Sequence, residues 1–364
     1  MKKIVIFANN DVGLYKFRKE LILSLLKENK VYIALPYGDF VDELVQLGCV
    51  FCPIELSSRG MNPISDLKLI WQYRKLIRSI KPDIAFTYTI KPNIYGGIVC
   101  RSHKVPYVVN ITGLGTAVEN RGFLQFMTTR MYKFALKKSQ KVFFQNEENR
   151  AFMLERGIVN GHNDILPGSG VNLTLYKPLA YSARDTVDFL FVARVMQEKG
   201  IDQYLEAASF IRDLYPQTRF HICGQCEEAY KQKIAKLHDD GIIIYHGLVK
   251  DMIPMYAMCS CTIHPTYYPE GMSNVLLESC ASARPVITTN RSGCKEIVEH
   301  CKNGFIVNAK DSKDLIKKIE MFLQLDEKQR VEMGLRGREI VEREFDRNIV
   351  INKYMLEIKQ DGCL

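Results

Sequence analysis

Nothing in this chain is long and apolar enough to read as a membrane span. The uncharged run from Met252 to Pro269 is broken by Pro254, His264 and Pro265. The apolar opening Ile4-Val5-Ile6-Phe7-Ala8 meets Asn9-Asn10-Asp11 at once, too soon for a signal peptide, and reads as a first buried strand. There is no Asp-x-Asp pair for a divalent metal, no Gly-x-Ser-x-Gly elbow for a hydrolase nucleophile, and no histidine from Met1 to Arg101. Gly113-Leu114-Gly115 lacks the third glycine of a dinucleotide fingerprint, with Val118 in its place, and no acidic strand end follows, which argues against an NAD enzyme. The 11 cysteines are odd in number and follow no framework, so reduced thiols in the cytoplasm are expected. The Cys49/Cys52 and Cys223/Cys226 pairs lie far apart without a redox or zinc context and read as small buried hydrophobes.

What is present is a globular composition: 364 residues, 47% hydrophobic and 25% charged, enough for two domains of ordinary size. The net charge of +9 favours an anionic partner, with nucleotide sugars, phospholipid surfaces and nucleic acid all qualifying. β-rich runs alternate with amphipathic ones through the first half, from Ile4–Ala8 to Lys141–Gln145, including helices over Ile64–Ile80, Ile94–Arg101 and Phe123–Lys138. After a polar linker, Asn172 to Asp188, a second series opens with strand Phe189–Val192 and ends in three amphipathic helices, the last over Arg347–Lys359. Such alternation predicts two α/β halves with parallel, doubly wound sheets.

The stretch Glu270-Gly271-Met272-Ser273-Asn274-Val275-Leu276-Leu277-Glu278 follows the apolar run Cys261 to Pro265. It reads as strand, loop and helix, with acids at a strand's carboxyl end, where open α/β sheets bind ligands. Gly271 permits close backbone approach, Ser273 or Asn274 can cap the helix, and the exposed N–H groups form an anion seat. Arg194-Val195-Met196-Gln197-Glu198-Lys199-Gly200 likewise follows a strand, placing two cations where a leaving diphosphate would need them.

These residues resemble the E-x7-E and Arg-x4-Lys-Gly patterns of the retaining, nucleotide-sugar-dependent glycosyltransferases of family four. Gly224, Gly247 with Asp251, Pro265, Pro285, Gly293 with Glu296, and Asn303-Gly304 follow in the family's order. The chain departs from the pattern at Pro269, Met272, Ser273 and Ser282, which touches the sugar pocket. The resemblance implies a GT-B architecture of two facing Rossmann-like domains, residues 1–175 for the acceptor and 176–345 for the nucleotide sugar. Residues 346–364 would form a helix crossing back to the first domain. It implies Glu270, Arg194 and Lys199 in catalysis, and Glu278, Gly271, Met272, Ser273, Asn274, Gly224 and Lys250 at the donor. Glu278 would accept from ribose hydroxyls. The donor would be a nucleotide diphosphate sugar, UDP-linked by preference, used as substrate without a cofactor or metal.

Three first-half stretches, Leu14 to Arg18, Thr87 to Gly96 and Asn110 to Gly115, look like those of bacterial enzymes that extend polyprenyl-linked glycans for capsule or O-antigen. They imply Gly13, Arg18, Lys91, Gly113 and Gly115 at the acceptor or cleft. Turn-forming glycines and a capping Asn93 are the competing structural readings. The basic segment 121–138, with Phe123, Phe126, Met127, Arg130, Met131 and Phe134 at helical spacing, is expected at an anionic membrane surface, making the protein cytoplasmic and peripheral at the inner face of the membrane. The rivals are a sugar-nucleotide epimerase of similar shape and a basic nucleic-acid-binding protein. Against the latter, aromatic and basic residues are not interleaved as a stacking platform requires.

Overall fold

A computed structural model describes residues 1–56, 62–115, 122–159, 161–181 and 185–359. Arg121 and Val118 lie outside them. The chain divides into two compact units: Met1–Gly170 with Glu270–Met272 and Arg347–Leu364, and Val171–Pro269 with Ser273–Asp346.

The first unit is a seven-stranded parallel sheet. Its strands are β1 (Lys3–Phe7), β2 (Lys30–Leu35), β3 (Val50–Pro53), β4 (Ile84–Tyr88), β5 (Tyr107–Ile111), β6 (Lys141–Phe144) and β7 (Asn163–Ile165), in the order β3-β2-β1-β4-β5-β6-β7. Alternate residues of β1 enter different cores, as the two-residue strand period requires. Ile4 and Ile6 pack with helices Asp11–Leu26, Val41–Gln46 and Arg347–Lys359. Val5 and Phe7 pack with helices Pro63–Ile80, Gly97–Ser102, Phe123–Leu136 and Glu147–Glu155. Helix Arg347–Lys359 is tied in by the Tyr354 hydroxyl, which accepts from Asn110 Nδ2 at 2.8 Å, and by an ion pair between Arg347 and Glu20.

The second unit is a six-stranded parallel sheet. Its strands are β8 (Val187–Val192), β9 (Thr218–Cys223), β10 (Ile244–Tyr245), β11 (Cys261–His264), β12 (Val286–Thr289) and β13 (Gly304–Val307), ordered β10-β9-β8-β11-β12-β13. Both sheets reverse direction once, between β1 and β4 and between β8 and β11, and the crevice outside such a switch is where doubly wound sheets take ligands.

The structure corrects three local expectations. The helix expected over Ile94–Arg101 is a π-helical turn, Pro92–Gly96, running into α-helix Gly97–Ser102. Asn93 is not a cap: it is buried, accepts from Thr87 Oγ1 at 2.7 Å and donates to the Asn110 carbonyl at 2.9 Å. The expected linker runs too far, because β8 already begins at Val187, with the buried Asp188 carboxylate held by His221 and Thr186. None of the ten described cysteines is in a disulfide. Seven are buried, Cys52 and Cys226 are half-buried, and Cys301 is exposed.

Candidate functional site

In the second unit, the loops after β8 and β11 flank the switch point and are bonded to each other. The Glu198 carbonyl accepts from the Tyr267 N–H at 2.9 Å and from Thr266 Oγ1 at 3.3 Å. Gly200, at φ 77°, opens helix Ile201–Leu214, and a Cβ there would run into the Pro265 carbonyl, so only glycine lets the two loops close up. This brings Lys199 beside the lead-in to the acidic stretch, while Arg194 turns to the loop after β9. Lys199 Nζ stands 4.9 Å over the Tyr268 ring, and Arg194 Nη1 lies 3.9 Å from Glu227 Oε1 in an exposed pair. An exposed pair of that length is weak and screened, which leaves the guanidinium exchangeable toward a stronger anion.

Ser273 is the residue that caps helix Asn274–Ala281, its buried Oγ accepting from the Leu276 N–H at 3.5 Å, while Asn274 is half-buried at the first helical position. Its own N–H donates to the Gly293 carbonyl at 2.8 Å, and the Gly293 N–H donates to Glu296 at 2.7 Å. One turn into that helix, Glu278 accepts from the Tyr256 hydroxyl at 3.1 Å. Burial, then the charge of Glu278, push the Tyr256 hydroxyl well above its ordinary range, so it remains a donor and fixes the carboxylate. Gly224 serves the backbone: it sits at φ 148°, its N–H donates to the Gly247 carbonyl, and a Cβ would strike the Ala193 carbonyl. Lys250 is exposed in the loop after β10.

In the first unit, the peptide Glu270–Met272 is held by residues at the carboxyl ends of β5 and β6. Asn146 Nδ2 donates to the Gly271 carbonyl at 2.7 Å and to the Glu270 carbonyl at 3.2 Å. A Cβ on Gly271 would strike the Thr112 carbonyl and Gln145 Oε1. Met272 is buried against Gly168. After β1, Asn10 caps helix Asp11–Leu26 by accepting from the Gly13 N–H at 2.8 Å, so that donor is occupied. Arg18 is buried with its guanidinium 5.1 Å over the Tyr88 ring, donating to the Phe17 carbonyl. Lys91, beyond β4, pairs with Asp66 at 2.9 Å, both largely buried. The preceding Thr89 holds φ 71°, a strained value for a threonine. Gly113 and Gly115 take φ 141° and 67°, and a Cβ on Gly115 would press on Ile90 Cδ1 at 3.1 Å.

Helix Phe123–Leu136 buries Thr128, Tyr132, Ala135 and Leu136. Phe123 is 79% exposed, and Phe126 and Phe134 are exposed beside Arg130, Lys133, Lys137 and Lys138. Phe123, Phe126 and Phe134 therefore do not serve the core, whereas Tyr132 does; Met127 and Met131 are half-buried.

Sequence reading found the cations and acids but missed their holders: Tyr256, Tyr268, Glu227 and Asn146. Asn146 had a signal, since it follows a predicted strand end, as ligand-facing residues do. Among the described residues, no group of three His, Cys, Asp or Glu side chains is placed to hold a metal ion, and no helix is long and apolar enough to cross a membrane.

The family description "Glycosyl transferase 4-like" matches residues 3–146, and "Glycosyl transferases group 1" matches residues 182–340. A Campylobacter jejuni N,N'-diacetylbacillosaminyl-diphospho-undecaprenol alpha-1,3-N-acetylgalactosaminyltransferase is 24% identical, with 97% of each chain covered. An Escherichia coli UDP-Gal:alpha-D-GlcNAc-diphosphoundecaprenol alpha-1,3-galactosyltransferase is 24% identical over 76% of this chain and 74% of its own. Among solved structures, sucrose-phosphate synthase from Thermosynechococcus elongatus matches with a TM-score of 0.82 at 17% identity, covering 99% of both chains. Anabaena HepE in complex with UDP and glucose matches at 0.80 with 17% identity, covering 98% of this chain and 99% of its own.

Proposed function

The chain belongs to the metal-independent GT-B glycosyltransferases related to enzymes of bacterial surface-polysaccharide synthesis, and on that premise we propose that it is a retaining enzyme extending a polyprenyl-diphosphate-linked glycan from a UDP-sugar. The observation that supports the donor half is the bonded pair of loops at the β8/β11 switch, where Lys199 lies over the Tyr268 ring in the loop that leads to the acidic stretch. In this reading Glu278 holds the ribose hydroxyls and Glu270 meets the donor sugar. Gly271, Met272, Ser273 and Asn274 form the turn and helix start beside it, with Gly224 and Lys250 on neighbouring loops.

Arg194 and Lys199 neutralise the diphosphate as the sugar–oxygen bond breaks. The acceptor hydroxyl attacks the same face of the sugar carbon, and its proton passes to the departing diphosphate oxygen, so charge and atoms balance. Gly13, Arg18, Lys91, Gly113 and Gly115 lie on the acceptor side. The two curated relatives' names specify diphosphoundecaprenol acceptors, which supports a lipid-linked acceptor for this chain. The exposed aromatic and basic face of helix Phe123–Leu136 supports work at an anionic membrane surface, on its cytoplasmic side.

The test is incubation with a panel of UDP-sugars and a lipid-linked glycan extract, read by mass spectrometry and by the anomeric configuration of the product. One sugar added with retained configuration is expected. A nucleotide sugar altered without any acceptor would overturn the reading in favour of an epimerase.

A further inference from the structure

The chain has a single tryptophan, Trp71, and it is 61% exposed. An indole is normally spent on a core or an interface, because its large apolar body gains most when removed from water. Trp71 is not alone. On helix Pro63–Ile80, Ile64, Leu67 and Trp71 are exposed at successive steps of three and four residues, which puts them on one ridge. The same ridge continues into Arg74, Lys75 and Arg78, also exposed, and Lys75 Nζ lies 5.5 Å over the Trp71 ring. The opposite side of the helix, with Leu69, Tyr73, Ile77 and Ile80, is already buried in the first unit.

Isolated exposed hydrophobics are ordinary and carry no meaning. A line of apolar side chains running into a line of cations on one helix is a different pattern. The helix's one acid, Asp66, is buried and paired with Lys91, so its outward face bears no negative charge of its own. The nearest counter-charge shown is Glu55, which pairs with Lys68 at the flank of the ridge. Helix Pro63–Ile80 and helix Phe123–Leu136 contribute to the same core and both pack on the Pro92–Ser102 segment, so they share one layer over the sheet. Their solvent-facing sides turn away from the same sheet face.

We propose that the outward ridge of helix Pro63–Ile80 is a second lipid-contacting surface, which seats in the headgroup region of an anionic bilayer with Trp71 as its interfacial anchor. Charge complementarity selects the occupant: apolar side chains enter the acyl boundary while Arg74, Lys75 and Arg78 meet anionic headgroups, and indole rings favour that depth. The inference rests on the reading that this enzyme meets its acceptor at a membrane. Two separate lines of contact on one unit fix its rotation on the bilayer, where one helix alone would let it pivot.

Because Trp71 is the only indole, the unmodified protein carries its own probe. With vesicles containing phosphatidylglycerol, the emission should move to shorter wavelength and be quenched by lipids brominated near the headgroup end of the acyl chain. With phosphatidylcholine vesicles the change should be much smaller. Replacing Arg74, Lys75 and Arg78 together with glutamine should weaken vesicle binding on the order of a hundredfold. Ile64→Ser with Leu67→Ser should weaken it while leaving Trp71 able to report. Flotation with an unchanged Trp71 spectrum would overturn this inference and leave the membrane reading standing. No flotation at all would overturn both. A spectral shift that grows with protein concentration in the absence of lipid would assign the ridge to self-association and overturn the inference.

Discussion

Gly200 answers a steric demand that no other side chain meets: its φ of 77° and the Pro265 carbonyl in front of it both exclude a Cβ. Gly200→Ala should therefore destabilise the second unit by roughly 1–3 kcal/mol or more, read by chemical denaturation, with donor binding lost in parallel as the two loops separate. The charged residues beside it separate by kinetic role. Arg194→Ala and Lys199→Ala should each lower kcat by about 3 kcal/mol of transition-state stabilisation with little change in KM, whereas Glu278→Gln should chiefly raise donor KM. Normal turnover in both cation variants would remove the diphosphate assignment. Arg194, Lys199 and Glu278 could be proposed from the sequence because residue type and offset from a strand end suffice to nominate a charged site. Tyr256, which holds Glu278 from 22 positions away, was not, because a lone tyrosine carries no mark of its partner.

Helix Pro63–Ile80, with its strong apolar rhythm, was legible to within one residue of the expected Ile64–Ile80, and helix Arg347–Lys359 falls on its expected bounds. Helix Glu147–Glu155 and β7 were not read at all. The helix buries only Met153 and β7 buries no residue fully, so neither leaves an apolar rhythm to detect. Helix Phe123–Leu136 leaves a rhythm that misleads unless exposure is known, since Phe123, Phe126 and Phe134 face solvent while Tyr132 enters the core. Charge reversal at three of Arg130, Lys133, Lys137 and Lys138 should abolish flotation with phosphatidylglycerol vesicles at low salt, each charge contributing about 1 kcal/mol. Unchanged binding by a folded triple variant would sink that role. At the β8–β9 pair, burial raises the Asp188 carboxyl but the bonds from His221 and Thr186 outweigh it, leaving it below the usual aspartate range. A depressed carboxyl stabilises the fold above its unfolded value and loses that contribution as pH falls through the folded one. Denaturation midpoints should thus fall on acidification, and less steeply in Asp188→Asn.

At the scale of the molecule, alternation predicted two parallel sheets, but strand order is set by which edges each crossover reaches, which composition does not encode. Nor does a terminal helix announce its partner; the assignment of Arg347–Lys359 to the first unit came from resemblance and is met by the Val350, Ile351 and Tyr354 side chains in its core. If Arg194, Lys199 and a helix N-terminus take the place of a divalent ion, as proposed, activity should persist in excess EDTA; complete loss restored by magnesium or manganese would refute that. The distribution of thiols has a practical use. Burial pushes the Cys49, Cys223 and Cys280 thiols up to about 12, so they carry almost no thiolate near neutral pH, while Cys301 is exposed on the second unit. With Cys363 replaced by serine, a maleimide dye should attach first at Cys301, and Trp71 on the first unit becomes its energy-transfer donor. The protein then needs no foreign donor for an energy-transfer measurement made with and without donor sugar.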